Sequence, residues 1–334
     1  EAAGHHFDLE GELSVRAWLF TVAADEHVLL LLTHHIVGDG WSMRPLMRDL
    51  SQAYRARIDG TVPNWPSLPV DYADYTLWQR DLLGDDDDPL TAAGRQLAYW
   101  RRTLADLPER VDLPTDRPRP PTPSNRGDMV RFDLDAALHR GLTDLARAHH
   151  ATLFMVLHAG LAAVLTRLGA GTDLPLGTPV AGRTDRALDD LVGCFINTLV
   201  LRTDTAGDPT FGELLSRARA TDLAAFANQD LPFERLAELG GQRSTYNPLF
   251  QVMLALNNNP ASELSLAGLR VEPHAVATGV SRLDLTFGFT EHRTDSGDPA
   301  GMVGFLEYST DLFEKRTASA LTERLTGLLA AAVA

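Results

Sequence analysis

The chain has 334 residues, 44% hydrophobic and 22% charged, which suits a globular protein of two domains rather than one minimal domain. Its formal net charge of −15 excludes nucleic acid as a partner, because a phosphate backbone needs a basic footprint. No apolar run approaches bilayer-spanning length, so no membrane partner is expected, and the single cysteine, Cys194, excludes an internal disulfide and suits a reducing, cytoplasmic compartment.

Val15 to Ala23 alternates as a strand and should pair with His27 to Thr33, an apolar run that reads as a buried strand. His34-His35-Ile36-Val37-Gly38-Asp39-Gly40-Trp41-Ser42 follows, and Met43 to Ile58 then has helical periodicity. Successive side chains on a strand point to opposite faces, so His34 and His35 cannot do the same job. Glycines tolerate positive φ, and those flanking Asp39 can turn it back. The result is an imidazole on a constrained loop, with a carboxylate that either orients it or braces the loop. Asp71 to Leu83 and Gln96 to Leu107 read as helices. Asp85 to Asp88 between them is a solvated turn rather than a metal site.

Leu113 to Pro123 carries five prolines and reads as a stiff, non-helical connector. It sets the expected division: a first lobe at 1–112, a connector at 113–127 and a second lobe at 128–334. Beyond it, strands are expected at Asp128 to Leu134, Asp173 to Val180, Ile196 to Arg202, Leu249 to Leu256, Leu269 to His274, Leu283 to Glu291 and Met302 to Tyr308. Helices are expected at Leu138 to His149, Leu153 to Leu168, Pro209 to Ala227 and Thr317 to Val333. Strands and helices mix without regular alternation, which is the pattern of an α+β fold. Cys194, between Gly193 and Phe195, reads as an inert buried thiol. The pairs His5-His6 and His149-His150 read as surface residues, and no HExxH or CxxC spacing indicates a metal.

His34 to Ser42 has the form HHxxxDG followed by Trp-Ser, and it resembles the core motif of condensation domains of nonribosomal peptide synthetases. Four further stretches resemble the same family in the same order. Tyr72 to Arg80 is similar to its YxDYxxWQ segment, and Val192 to Leu199 to its VGxFxNT segment. Asn228 to Glu234 is similar to HQDxPFE with Asn in place of His, and Asn247 to Val252 to NPLFQV. The resemblance spans essentially the whole sequence. The family's opening SxAQxRLW-like and RHExLRT-like motifs are not in it, so the first lobe is expected to be incomplete at its start.

The resemblance implies two chloramphenicol acetyltransferase-like lobes in a V-shaped pseudo-dimer. It implies peptide-bond formation between a carrier-bound aminoacyl or peptidyl thioester and the α-amine of a second carrier-bound amino acid. No cofactor is intrinsic; phosphopantetheine arrives on upstream and downstream peptidyl carrier domains, and an adenylation domain is the expected neighbour. His35 takes the catalytic role, as general base or as positioning group, and His34 a structural one. Asp39 is held by an arginine, with Arg183 the candidate and Arg202 the alternative. Gly40 offers its N–H as an oxyanion donor or only makes the turn. Trp41, Ser42, Trp78 and Asn197 support the motif. The flanking residues look more like the type that joins a D-configured donor to an L-configured acceptor. The alternatives are an all-L type, an epimerisation domain and a non-catalytic partner-recruiting domain. An intact histidine motif argues against heterocyclisation.

Overall fold

The computed structural model describes residues 2–108, 110–239, 249–257, 263–274, 276 and 278–334. Contacts group the chain into two units built from interleaved stretches. The first comprises Glu1–Leu82, Ala181–Ile196 and Asn259–Thr278. The second comprises Leu83–Val180, Asn197–Asn258 and Gly279–Ala334. The elements are those of an α+β fold.

In the first unit, β1 (Val15–Ala23) pairs antiparallel with β2 (Glu26–Thr33), with Val15 opposite Thr33 and Phe20 opposite Val28. The expected pairing holds, but the expected burial of β2 does not. Its first four residues are exposed and its last four half-buried. The two strands form a sheet of their own, which has two faces and cannot cover either. Leu19 stays 68% exposed. An apolar run announces surface to be covered but not what covers it. Helix α1 (Met43–Ile58) has Pro45 in its first turn, where its missing N–H costs nothing. Arg55 and Arg57 lie in its last turn, facing the negative end of the helix dipole. Helix α2 (Tyr72–Leu83) begins where expected. Tyr75, Leu188, Leu191 and Phe195 form a small core, with Val70 and Tyr72 packed on it.

The second unit is built on a six-stranded sheet. Its strands are β3 (Gly127–Leu134), β4 (Asp173–Val180), β5 (Asn197–Asp204), β6 (Val252–Asn257), β7 (Leu285–Arg293) and β8 (Pro299–Ser309). They lie in the order β3-β8-β7-β6-β4-β5. β6 runs parallel to both β4 and β7, and every other pair is antiparallel. Helix α3 (Ala92–Thr103) starts four residues before the expected Gln96, because the Thr91 hydroxyl accepts the Gly94 N–H and caps it there. Its Leu97 and Trp100 are buried with Val180, Leu199, Leu201 and Phe250, which is why the unit begins at Leu83, upstream of the Pro-rich stretch. Within that stretch Arg119 is paired to Asp284 through both carboxylate oxygens.

Helices α4 (Ala136–Ala148), α5 (Leu153–Arg167), α6 (Phe211–Phe226) and α8 (Lys315–Ala332) fall close to their expected positions, joined by a short α7 (Phe233–Leu239). Asp135 caps α4, and a reciprocal Thr210–Glu213 box caps α6. Helix α5 is buried nearly all round, as its Ala- and Leu-rich run predicts. Leu269 to His274 is exposed and pairs with no strand among the described residues, so the expected strand there is not formed. Asn247 and Pro248 of the NPLFQV-like segment lie outside the described residues. Among those residues no single helix is long and apolar enough to cross a membrane.

Candidate active site

β2 ends at Thr33, and His35–Val37 make a single 3-10 turn. His34 precedes the turn in extended conformation, and its Nδ1 accepts the Ile36 N–H at 3.1 Å. Its ring also meets Phe7 edge-on. His34 therefore caps the turn, and its Nδ1 is spent. His35, one residue on, is exposed. The two histidines do split between support and solvent, though a cap and a turn, rather than strand alternation, separate them. Gly38 is extended, at φ −172°, so the loop reverses without a left-handed glycine at that position.

The reversal is made by side chains instead. Asp39 is 4% exposed and Ser42 1%. The Asp39 Oδ1 accepts the Ser42 N–H and the Ser42 hydroxyl, both at 2.9 Å. The Ser42 Oγ accepts the Asp39 N–H at 3.2 Å. These bonds close the turn and start α1. Trp41 lies half-buried within it, and Gly40 is exposed, its carbonyl accepting the Met43 N–H.

A buried carboxylate must be paired to be tolerated. Arg183 supplies the pair: its Nη2 lies 3.3 Å from Asp39 Oδ1 and 3.1 Å from Ser42 Oγ. Its other terminal nitrogen donates to the Leu188 carbonyl, and its guanidinium lies 4.1 Å from the Phe195 ring centroid. Arg202, the alternative candidate, is engaged in the second unit, donating to Asp173 and to the Thr103 and Ala105 carbonyls. Asp39 contacts no imidazole in these bonds; it braces the loop.

The same network fixes the segment Gly193-Cys194-Phe195. The Gly193 N–H donates to Ser42 Oγ at 3.1 Å, and its carbonyl faces the same hydroxyl at 2.8 Å. The Tyr72 hydroxyl donates to the Cys194 carbonyl at 2.6 Å. The Phe195 N–H donates to Asp39 Oδ2 at 2.9 Å. Burial, then the neighbouring Cys194 and Asp39, raise the Tyr72 phenol above its ordinary value, against the pull of Arg183. Tyr72 thus stays a donor at neutral pH. A side chain at Gly193 would press into the Tyr72 ring, 2.4 Å from its Cδ2, so only glycine fits there. Gly182, before Arg183, sits at φ +65°, and a Cβ there would lie 1.8 Å from the Phe195 oxygen.

Trp78 is 44% exposed on α2 and packs obliquely on Tyr75. Asn197 belongs to the second unit, where its Nδ2 donates to the Gln229 and Leu231 carbonyls and its Oδ1 accepts the Phe233 N–H that opens α7. It starts β5 and caps a helix. Cys194, read from sequence as buried and inert, is only half-buried, and its Sγ lies 4.0 Å from His35 Nδ1. Tyr72 and the 193–195 backbone were not candidates. Both lie inside the motif-like stretches, but nothing local shows that they meet Asp39 and Ser42. No metal-ligating cluster occurs among the described residues.

The family model for the condensation domain matches residues 1–334. The chain is 55% identical, over 99% of its length, to the dimodular nonribosomal peptide synthase of Bacillus subtilis (strain 168), and spans 14% of that protein. It is 49% identical, over its whole length, to the isonitrile lipopeptide synthase of Mycobacterium tuberculosis (strain ATCC 25618 / H37Rv), and spans 13% of that protein. The crystal structure of the X-domain from teicoplanin biosynthesis matches with a TM-score of 0.92 at 36% identity, over 99% of this chain and 75% of that one.

Proposed function

The chain belongs to the condensation domain family, and from that premise we propose that it forms peptide bonds in nonribosomal peptide synthesis. The donor is an aminoacyl or peptidyl thioester on the phosphopantetheine arm of an upstream carrier domain. The acceptor is the α-amine of an amino acid on a downstream carrier, loaded by an adjacent adenylation domain. The amine nitrogen attacks the thioester carbonyl, a tetrahedral intermediate forms, and the donor thiol leaves with a proton as the amide forms.

The observation that carries this reading is the division of labour at the loop. His35 is exposed, while Asp39, four residues on, is locked by Ser42, Arg183 and Phe195. A free α-amine titrates at about 7.7–8.0, so a useful neutral fraction exists at neutral pH. Thioesters are already activated, and orientation alone can be worth about 7–11 kcal/mol. His35 accepts a hydrogen bond from the amine and positions it; as general base it adds about 10²–10⁴-fold. The Gly40 N–H is offered to the oxyanion. His34, Trp41, Ser42 and Arg183 hold the loop, Trp78 packs on Tyr75 with its face partly open, and Asn197 fixes the start of β5. The subtype we favour joins a D-configured donor to an L-configured acceptor, in the cytoplasm.

A second reading has its own support. The structurally similar X-domain has also been solved in a complex with OxyB, so a partner-recruiting module is the competitor. Single-turnover condensation in the intact synthetase separates them. Donors ending in D- and L-residues would be offered to wild type and His35→Ala. Product from wild type with the D-donor, and loss of about 10²-fold or more in His35→Ala, is expected. Carrier binding without product from wild type would sink the enzyme reading.

A further inference from the structure

The loop-bracing network fixes the backbone on both sides of Cys194. The Ser42 Oγ accepts the Gly193 N–H, the Tyr72 hydroxyl donates to the Cys194 carbonyl, and Asp39 accepts the Phe195 N–H. The packing leaves no room for adjustment: a Cβ at Gly193 would also lie 2.9 Å from the Phe195 ring. Three side chains from two separate stretches therefore set where the Cys194 Cβ points. It points its sulfur to 4.0 Å from His35 Nδ1, within the long reach of a sulfur hydrogen bond. The imidazole has two distinct nitrogens, and the partner of one decides the state of the other.

We infer that Cys194 is a positioning residue for His35: its sulfur takes the Nδ1 edge of the ring and leaves Nε2 for the acceptor amine. This rests on the condensation reading above. In that arrangement Nδ1 carries the proton and points it at the sulfur, a weak acceptor, while Nε2 keeps its lone pair. An amine N–H can then be received at Nε2. The bond is weak, so it orients the ring without stabilising its charged form as a carboxylate would. Asp39 does not serve this purpose: its oxygens accept from Ser42, Arg183 and Phe195, and no bond joins it to the ring.

Two readouts test this. The first is the pH dependence of Cys194 alkylation by iodoacetamide, followed by peptide mass in wild type and His35→Ala. A thiol in contact with the ring reacts at a rate that depends on the ring, so the wild-type pH curve should differ from that of His35→Ala. The second is the pH profile of single-turnover condensation. Cys194→Ala should slow the step by about 2–10-fold, the size of one hydrogen bond, and shift the acid limb of the profile. Cys194→Ser should restore the limb. Identical alkylation curves in wild type and His35→Ala, or an unshifted profile in Cys194→Ala, would overturn the inference. If wild type forms no product, the reaction fails and the positioning role with it. A histidine-dependent alkylation curve in that case shows that the contact is real and that the condensation reading is what was wrong.

Discussion

Each unit holds a histidine and an aspartate, and the two arrangements are opposites. In the second unit His158 of α5 meets Asp222 of α6 at 2.8 Å through Nδ1. Its Nε2 meets the Thr203 hydroxyl of β5 at 2.9 Å. All three residues have zero exposure. Hydroxyl, imidazole and carboxylate stand in the order that nucleophilic catalysis uses. In the first unit His35 is exposed, and Asp39 turns away from it to bind Arg183, Ser42 and Phe195. The better triad is thus the one no substrate can reach. Hydrogen-bond order alone does not make a site; access does, and the sealed triad ties two helices to a strand.

The sharpest way to break this contrast is Asp222→Ala. Removing one partner of a buried pair leaves the other uncompensated, at a cost of about 3–5 kcal/mol. The Asp222 Oδ2 already has no hydrogen-bond partner among the described residues. Urea denaturation should show that loss, and His158→Leu combined with Asp222→Leu should recover most of it, since an apolar pair of similar volume leaves nothing unpaired. A single substitution costing under 1 kcal/mol would mean that the pair is no anchor.

Asp39→Asn comes next. It keeps the shape but removes the charge opposite Arg183, whose side chain is 4% exposed. A hydrogen bond to a charged group is worth about 1.5–3 kcal/mol, and that is the expected fall in stability, accompanied by loss of condensation. Wild-type stability in this variant would show that Arg183 finds its compensation elsewhere.

Little of this contrast was written locally. The bounds of α1 and the pairing of β1 with β2 followed from period and turn residues, because both depend on near neighbours. His158 sits in an apolar run whose only visible message is burial. Its partners lie 45 and 64 residues away, and no spacing links them. Arg183 lies 144 residues from Asp39 and became a candidate only through family resemblance. The error on β2 has the same root: four leucines in a row look identical whether or not another layer covers them. Cys194 is less buried than expected, because a cysteine between Gly and Phe carries no local sign of whether anything covers it.

A smaller effect is expected at a carboxylate on the surface of the first unit. Arg16, the Asp8 N–H and His5 hold the Glu12 carboxyl down to about 2, from 4.5. A depressed carboxyl stabilises the fold above its unfolded value and stops doing so as pH falls through its folded one. The contribution should therefore be full above 4.5 and fade toward pH 2. The side-chain carbonyl shift of Glu12, followed by NMR against pH, should titrate near 2 and move back toward 4.5 in Arg16→Ala. A midpoint near 4.5 in the wild type would show that the contacts do not persist in solution.

The smallest expected effect decides most. His35 is exposed, and the carboxylate beside it in sequence gives it no hydrogen bond, so His35→Ala should change stability by no more than about 0.5 kcal/mol. Thermal melts of wild type and variant should superimpose while single-turnover condensation collapses. That pairing is what separates a residue kept for chemistry from one kept for structure. His158→Ala should do the reverse, losing stability first and any activity only through it. If His35→Ala instead melts like His158→Ala, the exposed ring is an anchor too. The contrast between the two units would then dissolve, and the catalytic assignment of the loop would fall with it.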